Sequence, residues 1–453
     1  MYLPDYVRRC MDALEQAGFA AYAVGGCVRD ACLGLTPHDY DLCTSALPDE
    51  TEAVFSDQKL VLAGKKHGTV AVVTYGGIVE ITTFRTEGDY SDNRHPGWVK
   101  FVPDIEADLA RRDFTVNAMA YSPTRGFADP FGGREDLKNR VLRAVGGPAA
   151  RFEEDSLRIL RGVRFAVKYG LKVEESTLSA MFHLAPLMGN LARERVFDEL
   201  CKLLLLVTPE DLLRFVPVLA AVIPELKPMI GFDQRSPHHA YDLFTHTAHV
   251  TCGVPPQPAL RWAGLLHDTG KIAAFTLDEN GRGHFYGHAA ESARIADDVL
   301  HRLKAPRQLR EQVCFLVSKH MTPLVPDKKL LRRRIAQYGM DNVYQLFQLQ
   351  QADFGSKGTD EADRVSWFDM IAGIIENIRE EDSCLTLKDL AVNGRDLLDI
   401  GFKPGREMGQ CLQQLLDLVI DEKVPNKKAA LLKEAAKLCN QNPNSTNERD
   451  LPL

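Results

Sequence analysis

Val24-Gly25-Gly26-Cys27-Val28-Arg29-Asp30, followed by His38-Asp39-Tyr40-Asp41-Leu42, is the stretch from which the rest of the chain can be read. Ala20–Val24 is β-type, and the Gly-Gly pair after it reads as a turn into a helix. Such a turn brings backbone N–H groups close to a bound anion. Arg29, one turn into that helix, can add a charge-assisted contact to a phosphate. Asp39 and Asp41 are two residues apart, and on a strand such residues share a face. Two carboxylates beside a phosphate turn suit a hard cation such as Mg2+. Two such ions can activate an attacking hydroxyl and neutralise a leaving pyrophosphate. A Gly-Gly pair alone is usually just a turn, and Asp-x-Asp alone is usually a solvated strand edge, so the inference rests on their joint occurrence.

Working outward, residues 4–18 read as a short amphipathic helix. Val70–Tyr75 and Ile78–Phe84 flank Gly76-Gly77, a hairpin signature. Residues 1–145 are therefore expected to be an α+β domain with a mainly antiparallel sheet. Beyond about 150 the helical period dominates, over 153–168, 175–187, 194–206 and 209–221. A linker-like stretch at 227–235 precedes a His-rich helical region at 238–355. Then follow an acidic segment at 360–385, further helices interrupted at Gly394 and Gly401, and a polar end from Gln441. The expected division is 1–145, 146–235, 236–358 and 359–453, with everything after the first part all-α.

The composition excludes a globally disordered chain, since 45 % of the 453 residues are hydrophobic and the net charge is only −7. No run approaches the roughly 18 apolar residues of a membrane helix, and Met1–Arg9 lacks a signal-peptide core. Ten cysteines without a C-x-x-C pair read as reduced, buried thiols, which places the expectation in the cytoplasm, away from membranes. The acidic balance speaks against nucleic acid as a partner. Local counts reverse that inference: residues 140–170 hold seven Lys/Arg against three Asp/Glu, and 328–334 and 423–437 are also basic.

The G-G-x-V-R-D segment with its D-x-D resembles the first motif of the nucleotidyltransferase superfamily, in the branch of class II CCA-adding enzymes and bacterial poly(A) polymerases. Asp108–Ala120, with Arg111-Arg112-Asp113-Phe114-Thr115-Val116-Asn117-Ala118, is similar to that family's R-R-D-F-T-x-N-A motif. Asp129-Pro130-Phe131-Gly132-Gly133 with Asp136-Leu137 is similar to its D-P-F-G-G-x-x-D-L motif. The resemblance implies a nucleotidyltransferase head over 1–145. In it Asp39 and Asp41 are catalytic and hold Mg2+, Gly26 and Arg29 hold the triphosphate, and Arg112 contacts the nucleotide.

Asp155 and Arg158 are three apart, and Arg161 and Arg164 continue at three-residue steps. Read from the residues alone, this is a solvated helix with intrahelical ion pairs, or a donor–acceptor pair that can match the edge of a base. The resemblance implies the second: in the family's E-D-x-x-R motif, Asp155 and Arg158 would read CTP and then ATP. Arg161 and Arg164 would support the nucleotide, in a helical neck over 146–235. Gly64-Lys65-Lys66-His67-Gly68-Thr69, and a loop region at 82–96 rich in Gly, Asp and Ser, resemble complete CCA-adding enzymes more than poly(A), CC-only or A-only enzymes. Glu80 stands as a possible third acid of the site or as a salt-bridge partner.

Imidazoles and carboxylates recur at His246, His267-Asp268, His288, His320 and Asp353, donors that suit divalent metals. The order H…HD…D, with Leu265-Leu266-His267-Asp268-Thr269-Gly270-Lys271, resembles the HD phosphohydrolases. That implies an HD domain over 236–358 in which His246, His267, Asp268 and Asp353 ligate a transition metal or Mg2+. His288 and His320 would serve a second metal or the phosphate, and Lys271 the phosphate. Substrates by analogy are 2′,3′-cyclic phosphates, nucleoside monophosphates or RNA 3′ ends. Residues 359–453, with Val392–Gly405 and Lys423, Lys427, Lys428 and Lys433, resemble the tail that grips the tRNA elbow, recognising shape and phosphate. The expected partners are tRNA, CTP and ATP, with oligomeric state left open. The expected activity is untemplated CCA addition to tRNA. Its competitors are a poly(A) or partial CC- or A-adding enzyme of the same fold, and an HD phosphohydrolase with a nucleotide-binding head.

Overall fold

A computed structural model describes residues 1–87, 99–236, 240–356, 362–381 and 384–440. Two units are distinguished, Met1–Pro228 with Asp298–Arg307, and Met229–Asp297 with Gln308–Leu453. In the first, seven strands form one sheet: β1 (Ala21–Val24), β2 (Asp41–Thr44), β3 (Lys59–Val61), β4 (Thr69–Thr74), β5 (Gly77–Thr83), β6 (Ala120–Ser122) and β7 (Gly126–Ala128). Their order is β3-β4-β5-β2-β1-β6-β7. Only β2 and β5 run parallel; the other neighbours are antiparallel, as expected. The β4–β5 hairpin forms around Tyr75-Gly76, close to the sequence expectation. Val24, Cys43, Phe84, Leu109 and Ala120 form a core against one side of the sheet.

The registers position the chemistry. Val24, the last residue of β1, lies opposite Asp41, the first of β2. The turn that leaves β1 is therefore beside Asp41. On the other side Asp41 is in register with Glu80.

Helices Pro148–Glu154, Leu157–Tyr169, Glu175–Leu184, Arg193–Leu204 and Pro209–Val222 follow. The single helix expected over 153–168 is in fact two. Asp155 is extended (φ −144°, ψ 99°) and breaks the run. Its carboxylate Oδ1 instead accepts the backbone N–H of Leu157 at 3.0 Å. Short acidic side chains compete in this way with helical continuation. Gly162 lets the second of these helices lie against the head, because a Cβ there would be 2.8 Å from the Phe114 ring.

In the second unit, helices Leu243–Gly253 and Pro258–Leu266 cross closely at Gly264, where a Cβ would meet Thr251 Cα at 2.8 Å. The stretch expected as a linker is not loose at its end: Gln234 is buried and accepts the Lys271 ammonium at 2.9 Å. Tail helices Gly394–Asp399, Arg406–Ile420 and Lys428–Asn440 close over Leu397, Leu415 and Leu431. Gly401 takes φ +102° between the first two. The basic run 328–334, counted above among the stretches that offset the acidic balance, is largely spent within the unit. Lys329 and Arg333 reach Asp421, Arg332 reaches Glu422, and Lys328 reaches Glu381. No helix among the described residues is long and apolar enough to cross a membrane. Residues 88–96 of the expected loop, and the polar end from Gln441, lie outside the described residues.

Candidate functional site

The head site is assembled at the end of β1. Gly25 takes φ +70°, and a Cβ on it would come within 2.9 Å of Arg112 Nη1. Glycine is thus required both for the turn and for the close approach of the guanidinium. Gly26 opens the helix Gly26–Cys32. Asp39 lies in the segment just before β2 and Asp41 begins it, and both are open to solvent. Surrounding atoms nevertheless raise the Asp41 carboxyl above its ordinary range, Glu80 adds to this, and Arg112 opposes it. Among the described residues no ion pair reaches Asp39, Asp41 or Glu80. An oxygen-only set that stays net negative beside Arg112 fits Mg2+.

Arg112 is anchored at Asp108 Oδ2 (3.1 Å) and touches Cys43 Sγ (3.5 Å), while its Nε, although buried, has no acceptor among the described residues. Burial would raise the Asp108 carboxyl, but Arg111 and Arg112 hold it below the usual range. The structure therefore brings together five residues marked in the sequence: Gly25, Gly26, Asp39, Asp41 and Arg112.

Arg29 is placed differently from the expectation. It is only 6 % exposed. It donates to Asp30 Oδ1 (2.9 and 2.7 Å), Asn117 Oδ1 (2.6 Å) and the Tyr169 hydroxyl (2.5 Å), and lies over the Tyr169 ring. Asn117 in turn donates to Asp113 Oδ1 (3.0 Å), and Arg161 Nε donates to Asp113 Oδ2 (2.9 Å). Tyr169 and Arg161 are on one helix, so this chain of hydrogen bonds leaves that helix, crosses two head motifs and returns to it.

The neck pair also differs. Asp155 and Arg158 are not side by side, because the backbone breaks between them. Arg158 Nη1 donates to Glu154 Oε2 (2.8 Å), and its Nη2 donates to the Arg111 carbonyl (3.0 Å). Asp155 Oδ2 instead meets Arg195 at 2.9 Å. Arg164 pairs with buried Glu199 at 2.6 Å. Sequence reasoning missed Arg195, Glu199 and Tyr169. Arg195 and Glu199 come from the separate helix Arg193–Leu204, and Tyr169 meets Arg29 from 140 positions away, with no motif to mark any of them.

In the second unit the histidines converge. His246 Nε2 lies 3.5 Å from Asp268 and 3.1 Å from Asp353, and His267 Nε2 lies 3.1 Å from Asp268. His288 Nε2 lies 3.4 Å from Asp268 Oδ1 and 3.1 Å from His320 Nε2. Lys271 Nζ lies 2.8 Å from Asp268. Each imidazole directs Nδ1 at a backbone carbonyl: Ser356 (3.2 Å), Gly264 (2.8 Å), Phe285 (2.7 Å) and Val317 (2.7 Å). With Nδ1 donating in those bonds, each Nε2 faces inward, and Asp268 and Asp353 favour a proton or a metal ion on that of His246. The Nε2 atoms of His288 and His320, 3.1 Å apart, repel unless a shared proton or a metal ion lies between. His246, His267 and Asp268 form one group that fits a metal ion, and Asp268, His288 and His320 form another.

Comparisons with known proteins agree with the head geometry. The family described as "Poly A polymerase head domain" matches residues 21–143, and "Probable RNA and SrmB- binding site of polymerase A" matches 170–230. "tRNA nucleotidyltransferase domain 2 putative" matches 290–435. The chain is 34 % identical over 433 residues to the CCA-adding enzyme of Streptococcus gordonii, covering 94 % of this chain and 96 % of that one. It is 32 % identical over 450 residues to that of Ligilactobacillus salivarius, covering 96 % and 98 %. The crystal structure of the Bacillus stearothermophilus CCA-adding enzyme in complex with CTP is similar at TM-score 0.68 and 27 % identity, over 98 % of each chain. The Thermotoga maritima enzyme shares the fold at TM-score 0.59 and 20 % identity. With Asp41 of the acidic pair in register with Glu80 beside a glycine turn, and with relatives matched nearly end to end at 32–34 % identity, the chain belongs to the CCA-adding enzymes.

Proposed function

We infer that the chain adds C, C and A to the 3′ end of tRNA, from CTP and ATP, without a nucleic-acid template and with release of pyrophosphate. The observation that carries this is the register Val24–Asp41–Glu80, which sets the carboxylates beside the Gly25 turn and Arg112. Mg2+ held by Asp39 and Asp41 would supply charge neutralisation at the reacting phosphate and the leaving pyrophosphate. The tRNA 3′-hydroxyl oxygen forms its bond to the α-phosphorus as the bond to the pyrophosphate oxygen breaks. Arg112 Nε, without an acceptor among the described residues, is the donor left over for the nucleotide. Gly26 lets the backbone approach the phosphates. Arg29 and Arg161 hold the neck helix on the head, and Arg164 braces that helix on Glu199. Asp155 and Arg158 select the base once Arg195 and Glu154 yield them. The tail contacts the tRNA elbow, and the site of action is the cytoplasm. A tRNA ending at its discriminator base, given CTP, ATP and Mg2+, gains three nucleotides. A long A-only tail would identify a poly(A) polymerase instead, and a stop after two a CC-adding enzyme.

For Arg158→Ala we expect CTP and ATP to be used with less discrimination, while the KM for either changes little. Each lost base contact is worth about 1–3 kcal/mol of selectivity by analogy with bidentate base pairing. Single-nucleotide incorporation from each triphosphate measures this, and unchanged selectivity would remove Arg158 from base reading.

The inward Nε2 atoms of four histidines support a second reading for the second unit, a metal-dependent phosphoester hydrolase of the HD kind, with His246, His267, Asp268 and Asp353 as ligands. The metal would polarise a water for attack on phosphorus. Asp268 bridges both groups of ligands, and Lys271 is poised at its edge for the phosphate. Asp268→Asn is expected to lower affinity for Mn2+ or Ni2+ by more than about 100-fold, since even outer-sphere partners are worth 10–100-fold. Equilibrium dialysis with metal analysis reads this, and equal metal content in wild type and variant would remove the assignment.

A further inference from the structure

The carboxylate that anchors Arg112 is fully buried: Asp108, on the helix Ile105–Ala110, is 0 % exposed. Its two oxygens have separate partners. Oδ1 accepts Arg111 Nε at 3.0 Å and Arg111 Nη2 at 2.9 Å, and the backbone N–H of Arg85 at 3.3 Å. Oδ2 accepts Arg112 Nη2 at 3.1 Å and faces Cys43 Sγ at 3.7 Å. Burial pushes the Cys43 thiol up to about 12, so it keeps its proton and donates. Cys43 is two residues beyond Asp41 on β2, so the two share a face of the strand. The Arg112 guanidinium, 3.5 Å from that sulfur, therefore lies on the side of β2 that carries Asp41. The Arg85 contact ties the same carboxylate to the chain leaving β5.

One well-placed cation balances a buried carboxylate. Asp108 faces two guanidiniums, which leaves one positive charge over beside the acidic pair. Fixing Arg112 by Nη2 also directs the rest of its fork. Nη1 lies 2.9 Å from the position of a Cβ on Gly25, and Nε has no acceptor among the described residues. A planar fork already held at one nitrogen loses less side-chain entropy when the others bind. We propose that Asp108 is a positioning residue for the incoming triphosphate: it holds Arg112 by Nη2 so that Nη1 and Nε meet the phosphates at the Gly25 turn. This rests on the reading of Arg112 as the nucleotide contact and adds to it the group that aims it. Without Asp108 the guanidinium is drawn to Asp41, whose charged form it already favours, and competes there with Mg2+.

The test is steady-state addition of one nucleotide by the full chain, CTP onto a tRNA ending at its discriminator base and ATP onto one ending in CC. Asp108→Asn is expected to raise the KM of both triphosphates by the same factor, about tenfold or more, the worth of one charge-assisted hydrogen bond. At saturating triphosphate, kcat and the KM for tRNA should stay within about threefold of wild type. Arg111→Ala takes away the partner on the other oxygen and is the control for a merely structural role, with triphosphate KM expected within about twofold. A rise there equal to that of Asp108→Asn would overturn the proposal. Arg112→Ala should raise KM at least as far, and Asp108→Asn should add nothing to it, whereas additive losses would overturn the proposal. A raised KM in Arg112→Ala but not in Asp108→Asn would overturn the positioning alone. An unchanged KM in Arg112→Ala would overturn it together with the nucleotide contact. If Asp108→Asn does not fold, Arg112→Lys decides. A single ammonium keeps the ion pair but cannot also reach the phosphates, so KM should rise with little change in Tm, and an unchanged KM would overturn the proposal.

Discussion

Replacing both Asp39 and Asp41 by alanine is expected to reduce tRNA extension by at least about 10³-fold, the equivalent of roughly 4 kcal/mol of transition-state stabilisation. The loss should lie in the chemical step. Triphosphate binding should persist, because Arg112 and the backbone of the Gly25-Gly26 turn remain in place. The fold should also persist. Both aspartates are open to solvent and among the described residues no ion pair reaches them, so stability should move by no more than about 0.5 kcal/mol. Removing Asp41 even relieves like-charge crowding with Glu80. The measurement is single-turnover extension of a tRNA lacking CCA, with thermal unfolding as the control. Extension within tenfold of wild type would remove these residues from the reaction.

The second large effect concerns Arg29, and it is one of stability. Arg29→Ala removes the guanidinium that joins Asp30, Asn117 and Tyr169, all within the first unit. It leaves the Asn117 carbonyl oxygen without its donor and Asp30 without its partner in a nearly closed site. Breaking one side of such a buried pair costs about 3–5 kcal/mol. For a unit of this size each kcal/mol shifts Tm by roughly 2–4 °C, so a fall of about 6–20 °C is expected. Activity measured at low temperature should fall less than in the aspartate variant. Asn117→Ala combined with Arg29→Ala should cost less than the sum of the two, because their shared hydrogen bond is lost in each single variant, although Asn117→Ala also removes the bond to Asp113. Additive losses in this double-mutant cycle would show that they act independently. A variant as stable as wild type but unable to bind triphosphate would return Arg29 to the nucleotide.

The contrast between these residues shows what could be read from sequence. Gly25, Gly26, Asp39 and Asp41 were legible as candidates because their chemistry depends on residue type and short spacing: a turn only glycine fits, and carboxylates two apart on an extended segment. Arg112 was marked only by the resemblance of its motif to the nucleotidyltransferases. The strand character of the hairpin around Gly76-Gly77 was legible for the same reason, a period of two with a local turn. The histidines were legible as a set of donors in order along the chain. Arg29, Arg161 and Arg164 were marked as nucleotide contacts, yet the structure engages each with a side chain 35–140 positions away. Arginine's donors are satisfied equally by a carboxylate of the protein or by a phosphate, and local sequence does not say which partner arrives. The basic run 328–334 met the same fate, since Asp421 and Glu422 lie about ninety positions further on.

The sequence by itself offered the glycine turn, an acidic pair two residues apart and the candidate metal donors, since each is set by residue type, turn chemistry and short-range period; the class of head came from the resemblance of its motifs to the nucleotidyltransferases. Tertiary structure alone decided that Glu80 stands in register with Asp41, because a parallel strand pair brings together residues that no local spacing relates. It also decided that Asp155 faces Arg195 rather than Arg158, because one extended residue ends a helix that periodicity had continued. Which arginines are left for the nucleotide is likewise tertiary, since it depends on which carboxylates the packing delivers first.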